Sequence, residues 1–466
     1  MSKLKEILSP FTAWNNVVKD PVTIKDPIND RPGAARYRGF HQNDIEECIG
    51  CGACASICET GAIKMVPVEG VEAKEGDSGL RPEVDYGRCC WCALCVDICS
   101  TGSLTLSNEY IWVDEDPEVF TFVPGIDKKS WDNRQEGWKR PGPDYELNIK
   151  ERVQMPELKP EEREDSFVEI VKGYSQDQAI AEADRCIDCG LCQATCPAHM
   201  DIPDYIRAVR EQDLEEGFRI MYKTNPLPEV CGRICTHKCE DVCAMGHRGD
   251  PIAIRWLKRY IADSISENDY SRALQQENPQ NKNKKIAIVG AGPTGLSAAY
   301  YLGLMGYSIK IFESQPNAGG MMRYGIPEYR LPYDALDQDI NYILSLGVDI
   351  QYNTRVGKDI TLEQLHEDFD SVLVATGLHE GRSTRIPGTD HKEVYQAIEL
   401  LREYSKGHEI PVAKKIVVIG GGNVAMDITR TLARLQNKKY GEVNIITTSL
   451  ETEEIMPADQ EEIDEA

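Results

Sequence analysis

Short unbroken runs of apolar residues, two of them closed by a glycine, recur in the second half of the chain. The two that end in glycine each follow a lysine, in Lys285–Gly290 and Lys415–Gly420, and a third predicted strand, Ile309–Phe312, is apolar except for Lys310. Parallel strands give this pattern because both of their faces are covered. The runs therefore predict βαβ units, and hence an α/β fold, in this part of the chain.

Other stretches carry different patterns. Helical spacing in Asp177–Asp184 and Ile254–Ile261 predicts an all-α domain, and the polar stretch Glu267–Lys284 indicates a boundary after it. An internal repeat within 41–108 predicts an α+β ferredoxin-like module of two pseudo-symmetric halves. The chain is thus expected to be multidomain. The predicted domains are an N-terminal arm (1–40), a 2[4Fe–4S] ferredoxin domain (41–108), a wrapping linker (109–165), a helical iron–sulfur domain (166–275), the first half of an FAD-binding domain (284–390) and a partial NAD(P)-binding domain (391–466).

Composition and charge narrow the class of protein. The 466 residues carry a net charge of −25, which argues against a nucleic-acid partner. The sequence has no apolar run long enough for a membrane span, and its N-terminus lacks the features of a signal peptide. We therefore expect a cytoplasmic protein, in which the charge serves solubility or guides the approach of another redox protein.

Cysteine gives the clearest chemical signal. The sequence has 17 cysteines, and all but Cys90 fall into four tight groups. The cytoplasm keeps thiols reduced, so disulfides would be unusual there. Grouped cysteines in such a protein indicate metal binding.

The first two groups share the spacing C-x₂-C-x₂-C-x₃-C and form the internal repeat. In two-cluster ferredoxins, the fourth cysteine of each run binds the other cluster. Glu59 and Ser100 stand where proline usually follows that cysteine, which leaves the number of ligands unchanged. Zinc is disfavoured because it usually binds pairs of C-x₂-C. The predicted ligand sets are Cys48, Cys51, Cys54 and Cys99 for one [4Fe–4S] cluster, and Cys58, Cys89, Cys92 and Cys95 for the other.

The remaining two groups carry a resemblance. One has ferredoxin spacing from Cys186 to Cys196, and the other has a cysteine at every fourth position from Cys231 to Cys243, preceded by Asn225-Pro-Leu-Pro-Glu-Val. Over about residues 166–466 the chain resembles the glutamate synthase small (beta) subunit family. The same iron–sulfur domain occurs in dihydropyrimidine dehydrogenase and in the large subunit of NADH-dependent ferredoxin:NADP oxidoreductases.

The resemblance implies two further clusters, about four in all. One would be held by Cys186, Cys189, Cys192 and Cys243, and the other by Cys196, Cys235, Cys239 and a fourth ligand. The family has Gln or Glu at that fourth position, whereas this chain has Lys258, so Cys231 is the nearest substitute and a cluster with an open iron is the alternative. His199 and His237 are expected to form hydrogen bonds rather than bind metal.

An FAD site is expected after the first apolar run. The motif G-x-G-x-x-G stands between a predicted strand and a helix, where a pyrophosphate approaches the helix N-terminus. A glutamate at the end of the next strand suits a ribose hydroxyl. The family resemblance adds a flavin-contacting loop and a motif at a strand end, and a structural unit without flavin is the alternative. The expected FAD-binding residues are Gly290, Gly292, Pro293, Thr294, Gly295, Glu313, Gly319, Gly320, Met321, Arg330, Thr376 and Gly377.

A second glycine motif predicts a site for NAD(H) or NADP(H). Members of the family usually have two arginines after the next strand, which bind the 2′-phosphate of NADP. Here the strand ends in Thr447-Thr448-Ser449, and Glu451, Glu453 and Glu454 follow. We therefore expect NADH to be preferred. The expected contacts are Gly420, Gly422, Asn423 and Val424.

The predicted sheet looks incomplete. The sequence stops soon after Met456-Pro-Ala-Asp, whereas the family continues with the rest of both nucleotide domains. A half-built parallel sheet exposes apolar surface. We expect a partner subunit to supply the missing half, or the sequence to be a fragment.

These features predict an iron–sulfur flavoprotein oxidoreductase with no side chain acting as acid or base. As a subunit of a larger complex, it would pass electrons between a pyridine nucleotide, FAD and its clusters, to or from a ferredoxin, hydrogenase or formate dehydrogenase partner. One alternative is a glutamate synthase small subunit that serves an amidotransferase. The other is a cluster-bearing scaffold with an inactive flavin domain.

Overall fold

In this computed structural model, residues 33–133, 137–138, 149–164, 166–265, 283–381 and 386–465 are described, with single positions at 14, 17, 19, 20 and 147. The chain divides into two compact units, Met1–Ile149 and Lys150–Ala466. The division falls inside the predicted linker. The predicted arm and the predicted boundary before the first glycine motif lie almost wholly outside the described residues. Over the described part, no helix combines the length and apolar character needed to cross a membrane.

The first unit repeats one order of elements, strand–helix–strand, as the internal repeat predicts. Strand β1 pairs antiparallel with β4, and β3 lies between β2 and β5. The elements are β1 (His41–Asn43), α1 (Ala53–Ser56), β2 (Ile63–Pro67), β3 (Leu80–Asp85), α2 (Leu94–Ile98), β4 (Leu104–Leu106), a 3₁₀ turn (Pro117–Phe120) and β5 (Thr121–Phe122).

Aromatic residues from the predicted linker complete the core of the first unit. Strand β5 comes from this segment, and Phe122 pairs with Val84 of β3. Trp131 is almost fully buried, stacks on Phe40 with ring centres 4.5 Å apart, and donates its indole N–H to the carbonyl oxygen of His41. The described part of this segment that belongs to the first unit therefore contributes to the core of the module.

The second unit begins with helices that surround its cysteine groups. Ser175 caps the first helix of the predicted all-α domain through a reciprocal capping box with Gln178. The last helix is buried along most of its length, and its arginines Arg255 and Arg259 pair with carboxylates. The helices are α3 (Pro160–Arg163), α4 (Gln176–Ala183), α5 (Leu191–Thr195), α6 (Ile202–Glu211), α7 (Leu214–Thr224), α8 (Pro228–Ile234), α9 (Lys238–Asp241) and α10 (Ile254–Ser264), with a 3₁₀ turn at Ala244–His247.

A four-stranded parallel sheet follows, in the order β8-β7-β6-β9. Its core is continuous with that of the helices: Tyr205 and Leu257 belong to the same buried cluster as Ile288 and Leu296. The predicted strands Lys285–Gly290 and Ile309–Phe312 are confirmed as β6 and β7. The elements are β6 (Lys285–Val289), α11 (Pro293–Leu304), β7 (Ser308–Phe312), α12 (Met321–Tyr324), α13 (Tyr333–Ser345), β8 (Val348–Gln351), α14 (Leu362–Asp368) and β9 (Ser371–Val374).

The chain continues into a smaller α/β layer, in which β10 pairs only with β11 among the described strands. Its own core packs Leu401 and Leu432 against Val418. The other face stays open: Val417 and Ile446 are each 62% exposed. The elements are α15 (Ala397–Ser405), β10 (Ile416–Ile419), α16 (Asn423–Tyr440), β11 (Ile445–Thr448), a 3₁₀ turn (Glu453–Ile455) and α17 (Gln460–Asp464).

Candidate functional site

One backbone conformation recurs in the three cysteine runs with ferredoxin spacing. The residues on either side of the second cysteine both have positive φ: Gly50 and Gly52, Trp91 and Ala93, Asp188 and Gly190. A short helix, α1, α2 or α5, then begins and carries the third cysteine. Such left-handed residues turn neighbouring amides towards a common centre, which forms a concave site for an anionic group.

The crossed pairing predicted for the first unit brings four thiols to one cavity. This cavity has an empty volume of about 380 Å³, which includes some open solvent. Burial raises the pKa of Cys95, and the charges of three neighbouring thiols add to the shift. The site fits a [4Fe–4S] cluster, because cysteines from two loops, the exposed Cys90 among them, line one cavity. Its lining includes the four predicted ligands Cys58, Cys89, Cys92 and Cys95.

The second predicted set of the first unit is grouped in the same way. Burial raises the pKa of Cys54, and neighbouring thiols, including those of Cys48, Cys51 and Cys99, raise it further. Cys99 comes from the other half of the repeat. The fold therefore brings both predicted ligand sets together, while ligation itself stays a prediction. Among the described residues, no group of three or more His, Cys, Asp or Glu side chains is arranged to hold a single metal ion.

Hydroxyl groups support the two crossing thiols. Thr60 Oγ1 lies 3.6 Å from Cys58 Sγ, and Thr101 Oγ1 lies 3.7 Å from Cys99 Sγ. Burial opposes ionisation of both thiols, but hydrogen bonds from these side chains and nearby amides outweigh it and lower both pKa values. The two cysteines are thereby prepared for binding as thiolates.

A buried histidine contacts one thiol of this unit. His41 Nε2 lies 3.2 Å from Cys95 Sγ, and His41 Nδ1 lies 2.6 Å from the hydroxyl of Tyr86. Burial lowers the pKa of His41 to about 4. Sequence reasoning missed this contact, because His41 lies outside the cysteine runs. The Thr contacts could have been found, since a Thr follows the fourth cysteine by two residues in both halves of the repeat.

In the second unit, one predicted set surrounds a cavity of about 340 Å³ of empty volume, part of it open to solvent. Burial raises the pKa of Cys186 to about 12, and charges on neighbouring groups, Cys189 and Cys243 among them, add to the shift. The main-chain N–H of Ile252 donates to Cys243 Sγ at 3.5 Å. The donor set and the cavity fit a [4Fe–4S] cluster. The lining includes the predicted ligands Cys186, Cys189, Cys192 and Cys243.

The other set of the second unit is less complete. Burial raises the pKa of Cys239 to about 12; the charges of Cys235 and Cys196 raise it and that of Lys258 lowers it. Burial also raises the pKa of Cys231. The charge of Lys258 lowers this pKa, and the charge of Cys235 raises it. These interactions place Cys231 near Cys235, and the buried Lys258 near both Cys231 and Cys239.

The two histidines near these groups take up backbone positions with positive φ, His199 at 48° and His237 at 38°. The ring of His237 lies 3.1 Å from the carbonyl oxygen of Cys235, and the residue precedes helix α9. This contact agrees with the predicted hydrogen-bonding role of His237.

The first glycine motif forms a tight cradle between β6 and α11. A Cβ added at Gly290 would lie 2.4 Å from the carbonyl oxygen of Ala375, and one at Gly295 would lie 2.0 Å from that of Gly290. Space remains at Gly292, where the nearest atom to an added Cβ is 3.8 Å away. Pro293 and Thr294 are exposed at the start of the helix. The cradle fits a nucleotide pyrophosphate.

The predicted flavin loop packs directly on this cradle. Gly319 N–H donates to the carbonyl oxygen of Ala291, and a Cβ on Gly320 would lie 2.7 Å from Cα of Gly292. Gly320 has φ 54° and starts helix α12, whose first residue is Met321. Thr376 and Gly377 follow β9 and are exposed, and Cα of Thr376 lies near the Gly290 turn.

Two of the residues predicted to bind FAD form hydrogen bonds or ion pairs with other protein groups in the structure. Glu313 is buried, and its carboxylate accepts hydrogen bonds from the N–H groups of Ala291 and Gln315 at 2.7 Å each. The guanidinium of Arg330 pairs with Asp427 at 2.7 Å and with Glu462 at 2.6 Å. A carboxylate has further lone pairs for a ribose hydroxyl. Contact of Arg330 with a flavin stays a prediction.

The second glycine motif has a more open turn. No atom lies within 4 Å of a Cβ added at Gly422, which precedes the 18-residue helix α16. The side chain of Asn423 exchanges hydrogen bonds with Asp459, and Val424 is exposed. Gly420 has φ 146° at the end of β10. The open helix N-terminus fits an anionic group.

Three families of proteins match separate parts of the chain. A 4Fe-4S dicluster domain matches residues 47–103, dihydropyrimidine dehydrogenase domain II with its 4Fe-4S cluster matches 163–270, and the pyridine nucleotide-disulphide oxidoreductase family matches 284–466. The matches cover all four cysteine groups and both glycine motifs. They confirm a ferredoxin-type module joined to an FAD/NAD(P) oxidoreductase domain.

Similar proteins include subunits of several redox enzymes. The glutamate synthase [NADPH] small chain of Escherichia coli is 31% identical over 69% of this chain and 70% of its own length. The NADPH-Fe(3+) oxidoreductase subunit beta of Geobacter sulfurreducens is 45% identical over 52% of this chain and 37% of its own. The NADP(+)-dependent formate dehydrogenase subunit beta of Moorella thermoacetica is 40% identical over 59% of this chain and 41% of its own length. In the last two, the match spans less than half of the relative's length.

Proposed function

Because the chain belongs to the family of the glutamate synthase small chain, we propose that it is an iron–sulfur flavoprotein oxidoreductase subunit. It transfers electrons between a pyridine nucleotide, with NADH preferred, FAD and about four [4Fe–4S] clusters. Its exchange partner is a ferredoxin-type protein or another enzyme of a larger redox complex, such as a hydrogenase or a formate dehydrogenase.

One observation carries the proposal: the cysteine cavity and the first glycine cradle of the second unit share one core. Cys192 and Cys243 belong to the same buried cluster as Ile288 and Leu296, which flank the glycine turn. Buried side chains in such a core hold their neighbours in fixed positions. The arrangement supports electron transfer between a cluster and a flavin, which requires both groups to stay at a fixed separation.

Hydrogen bonds reinforce this junction. Tyr300 of helix α11 donates its hydroxyl to the carbonyl oxygen of Tyr222, whose own hydroxyl donates to Asp339 of helix α13. The Asp339 carboxylate also accepts the main-chain N–H of Val230 at 3.1 Å, at the start of helix α8. Helix α8 carries Cys231, so the flavin part of the fold orients a cysteine helix directly.

The roles of the remaining residues follow from the cradles. Gly292 leaves room for a pyrophosphate, Gly320 packs against it, and Glu313 is the expected acceptor for a ribose hydroxyl. When bound, FAD would exchange electron pairs with a nicotinamide and the clusters would exchange single electrons. The protein contributes binding, orientation and exclusion of water, and no side chain is required as an acid or base.

For the fourth cluster, we assign Cys231 as the missing ligand beside Cys196, Cys235 and Cys239. The position that holds a carboxamide or carboxylate in the family is Lys258 here, and a protonated ammonium cannot bind iron. Cys231 and Lys258 interact electrostatically, so the ammonium balances the charge of a thiolate at that site.

The variant Cys231→Ser tests this assignment, with Cys90→Ser as the matched control because Cys90 is exposed and outside the predicted sets. We expect the first variant alone to lose about one iron atom per chain, as a cubane with one ligand removed does. Equal iron content in both variants would contradict the assignment.

The preference for NADH rests on charge. Residues 445–455 include β11 and three glutamates but no Arg or Lys. The 2′-phosphate of NADPH is usually bound by an arginine near this position. The similar proteins carry NADPH or NADP in their names. Comparing NADH with NADPH as substrates therefore tests whether this chain differs from them in its preference.

The open sheet face supports the proposal of a partner. Val374 of β9 is 59% exposed, and Val417 and Ile446 are exposed to a similar degree on β10 and β11. Apolar surface of this kind usually marks an interaction site. We propose that a further α/β segment covers it, carried by a partner subunit or by a longer chain of which this sequence is a part.

The experiment is the anaerobic purification of the intact chain with any protein that accompanies it. We expect about sixteen iron atoms, one FAD, and bleaching of the flavin by NADH. Reduced clusters should then appear by EPR. Iron without flavin would favour the scaffold with an inactive flavin domain. A colourless protein, with neither iron nor sulfide, would overturn the whole proposal.

The second candidate, a glutamate synthase small subunit, is favoured by the similarity to the Escherichia coli chain, which extends over 70% of that protein. It requires a large amidotransferase partner. Glutamate formation from glutamine and 2-oxoglutarate, in the presence of that partner, would establish it. The additional dicluster module at residues 47–103 favours the first candidate, since it provides an electron exit of its own.

A further inference from the structure

The side chain of His41 lies between a tyrosine and a cysteine in the first unit. Its Nδ1 is 2.6 Å from Tyr86 Oη, and its Nε2 is 3.2 Å from Cys95 Sγ. His41 is only 2% exposed, and Tyr86 and Cys95 are buried as well. Water therefore does not compete for these hydrogen bonds, which makes them stronger than they would be at the surface.

Tyr86 decides which ring nitrogen of His41 carries the hydrogen. The main-chain N–H of His41 donates to Tyr86 Oη at 2.7 Å. The hydroxyl has one hydrogen to donate, and among the contacts that the described residues make with this oxygen, Nδ1 is the atom that can accept it. The ring hydrogen then sits on Nε2, facing Cys95 Sγ.

The reverse arrangement is unfavourable once Cys95 binds iron. An Nδ1–H tautomer would turn the lone pair of Nε2 towards the sulfur. A thiolate ligand has no hydrogen to donate, so two electron-rich atoms would face each other at 3.2 Å. The contact with Tyr86 and the contact with Cys95 therefore select the same tautomer.

We propose that His41 is a positioning residue for the cluster of Cys58, Cys89, Cys92 and Cys95, and that its Nε2–H···Sγ hydrogen bond makes this cluster easier to reduce than it would be without that donor. The proposal rests on the proposed function, because it requires bound clusters. One electron enters the cluster and no bond forms or breaks. The added negative charge is shared by the ligand sulfurs, and a donor aimed at one of them stabilises the reduced state.

The other half of the repeat lacks this device. Cys54 holds in the first run the position that Cys95 holds in the second. Applied to His41, the same offset along the chain gives Pro82 as its counterpart, and proline has no side-chain donor. Within the part of the chain that the structure describes, no hydrogen bond reaches Cys54 Sγ. The hydrogen bond from His41 to Cys95 therefore has no counterpart at Cys54.

The test compares His41→Phe, His41→Gln and Tyr86→Phe in the intact, anaerobically prepared protein. Phe keeps an aromatic ring in the site without a donor, and Gln restores an N–H. Tyr86→Phe removes the hydroxyl that fixes the tautomer but keeps the ring that stacks on Phe122 at 5.5 Å. Dithionite titration followed by EPR measures the reduction potential of each cluster.

We expect His41→Phe to shift the one-electron equilibrium of one cluster about tenfold towards the oxidised form, which is about 59 mV. The second cluster of the module should keep its potential. His41→Gln should recover part of the shift, and Tyr86→Phe should show a smaller shift of the same sign.

A spectroscopic readout separates this role from simple packing. In protein labelled with ¹⁵N-histidine, the reduced cluster should show hyperfine coupling to one ring nitrogen, and the coupling should vanish in His41→Phe. Unchanged potentials in iron-replete variants, or absence of the coupling in the wild type, would overturn the proposal. Should His41→Phe fail to fold, Tyr86→Phe and the wild-type coupling decide the matter. Absence of iron from the wild-type protein would instead overturn the proposed function.

Discussion

Two glycine motifs of similar sequence are built into different surroundings in the second unit. The first, at Gly290–Gly295, ends a strand that lies inside a four-stranded sheet, and Ile288 before it is fully buried. The second, at Gly420–Gly422, ends a strand with one described neighbour, and Ile419 before it is 57% exposed. The first turn is closed by surrounding backbone, whereas the second leaves open space around its last glycine.

The difference shows that a glycine motif fixes a turn but not the completeness of a site. At the first motif, the predicted flavin loop and the end of β9 pack against the turn. At the second, the open helix N-terminus fits an anion, while one face of the adjoining sheet is exposed among the described residues. The first should therefore bind its nucleotide with little help, and the second should depend more on what covers the sheet.

The largest effect is expected for Gly295→Ala. The added Cβ would lie 2.0 Å from the carbonyl oxygen of Gly290, so β6 and α11 would have to separate. Such overpacking typically costs about 1–3 kcal/mol. We expect FAD content to fall about tenfold or more, measured by absorbance of the released flavin per chain.

Gly292→Ala is the matched variant at the same motif. Its added Cβ has no protein atom nearer than 3.8 Å, so the fold should be kept and only the approach of the pyrophosphate impaired. Normal FAD content in Gly295→Ala would show that the first turn is not the flavin cradle.

Gly422→Ala should have a more selective effect. The site has no atom within 4 Å, and its φ of −99° suits alanine. We expect full FAD and iron content and a KM for the pyridine nucleotide raised about tenfold, because a Cβ would meet the bound phosphate. A KM equal to that of the wild type would remove the second motif from the nucleotide site.

Thr448→Arg should change the choice of nucleotide rather than its binding in general. Thr448 is exposed at the end of β11, where a guanidinium could pair with a 2′-phosphate. We expect the ratio of kcat/KM for NADPH over NADH to rise about tenfold. Thr448→Gln, of similar length but neutral, is the control. A wild-type protein that already prefers NADPH would contradict the charge argument.

The smallest effect concerns the junction behind the first motif. Burial raises the pKa of Asp339 from 3.8 to about 7, although three groups donate hydrogen bonds to its carboxylate. A raised carboxyl pKa favours the protonated folded state. This stabilisation is complete below about pH 4 and is lost as the pH rises through about 7.

The variant Asp339→Asn mimics the protonated carboxyl, so its stability should change less between pH 5.5 and pH 8. We expect the difference in unfolding midpoint between these pH values to shrink by about 3 °C. Circular dichroism of the anaerobic protein measures it. A variant with the same pH dependence as the wild type would show that Asp339 does not titrate in this range.

Much of the fold was predictable because its signals are local. The strands β6, β7 and β10 follow from apolar runs, and helix α10 follows from its spacing. The cysteine spacing likewise anticipates which thiols the fold brings together, including Cys99 with the first run. The role of the segment after β4 was less predictable, since aromatic residues such as Trp131 show no period and reveal their core position only in the fold.

Long-range contacts could not be predicted in the same way. Arg330 stands in a predicted flavin loop, but its guanidinium pairs with Asp427 and Glu462. The contact of His41 with Cys95 joins residues more than fifty positions apart. Neither residue has a spacing or motif that identifies its partner.

The sequence by itself determined the ligand chemistry: thiols at fixed intervals, and glycines where a turn or a phosphate needs room. These are local properties, since the spacing of a few residues sets which atoms one loop can present. The tertiary structure alone decided that His41 lies against Cys95, that Arg330 pairs with Asp427 and Glu462, and which sheet face stays open. An apolar run has the same sequence pattern whether its strand face is buried or exposed in the fold. Burial depends on neighbours that are distant in the chain.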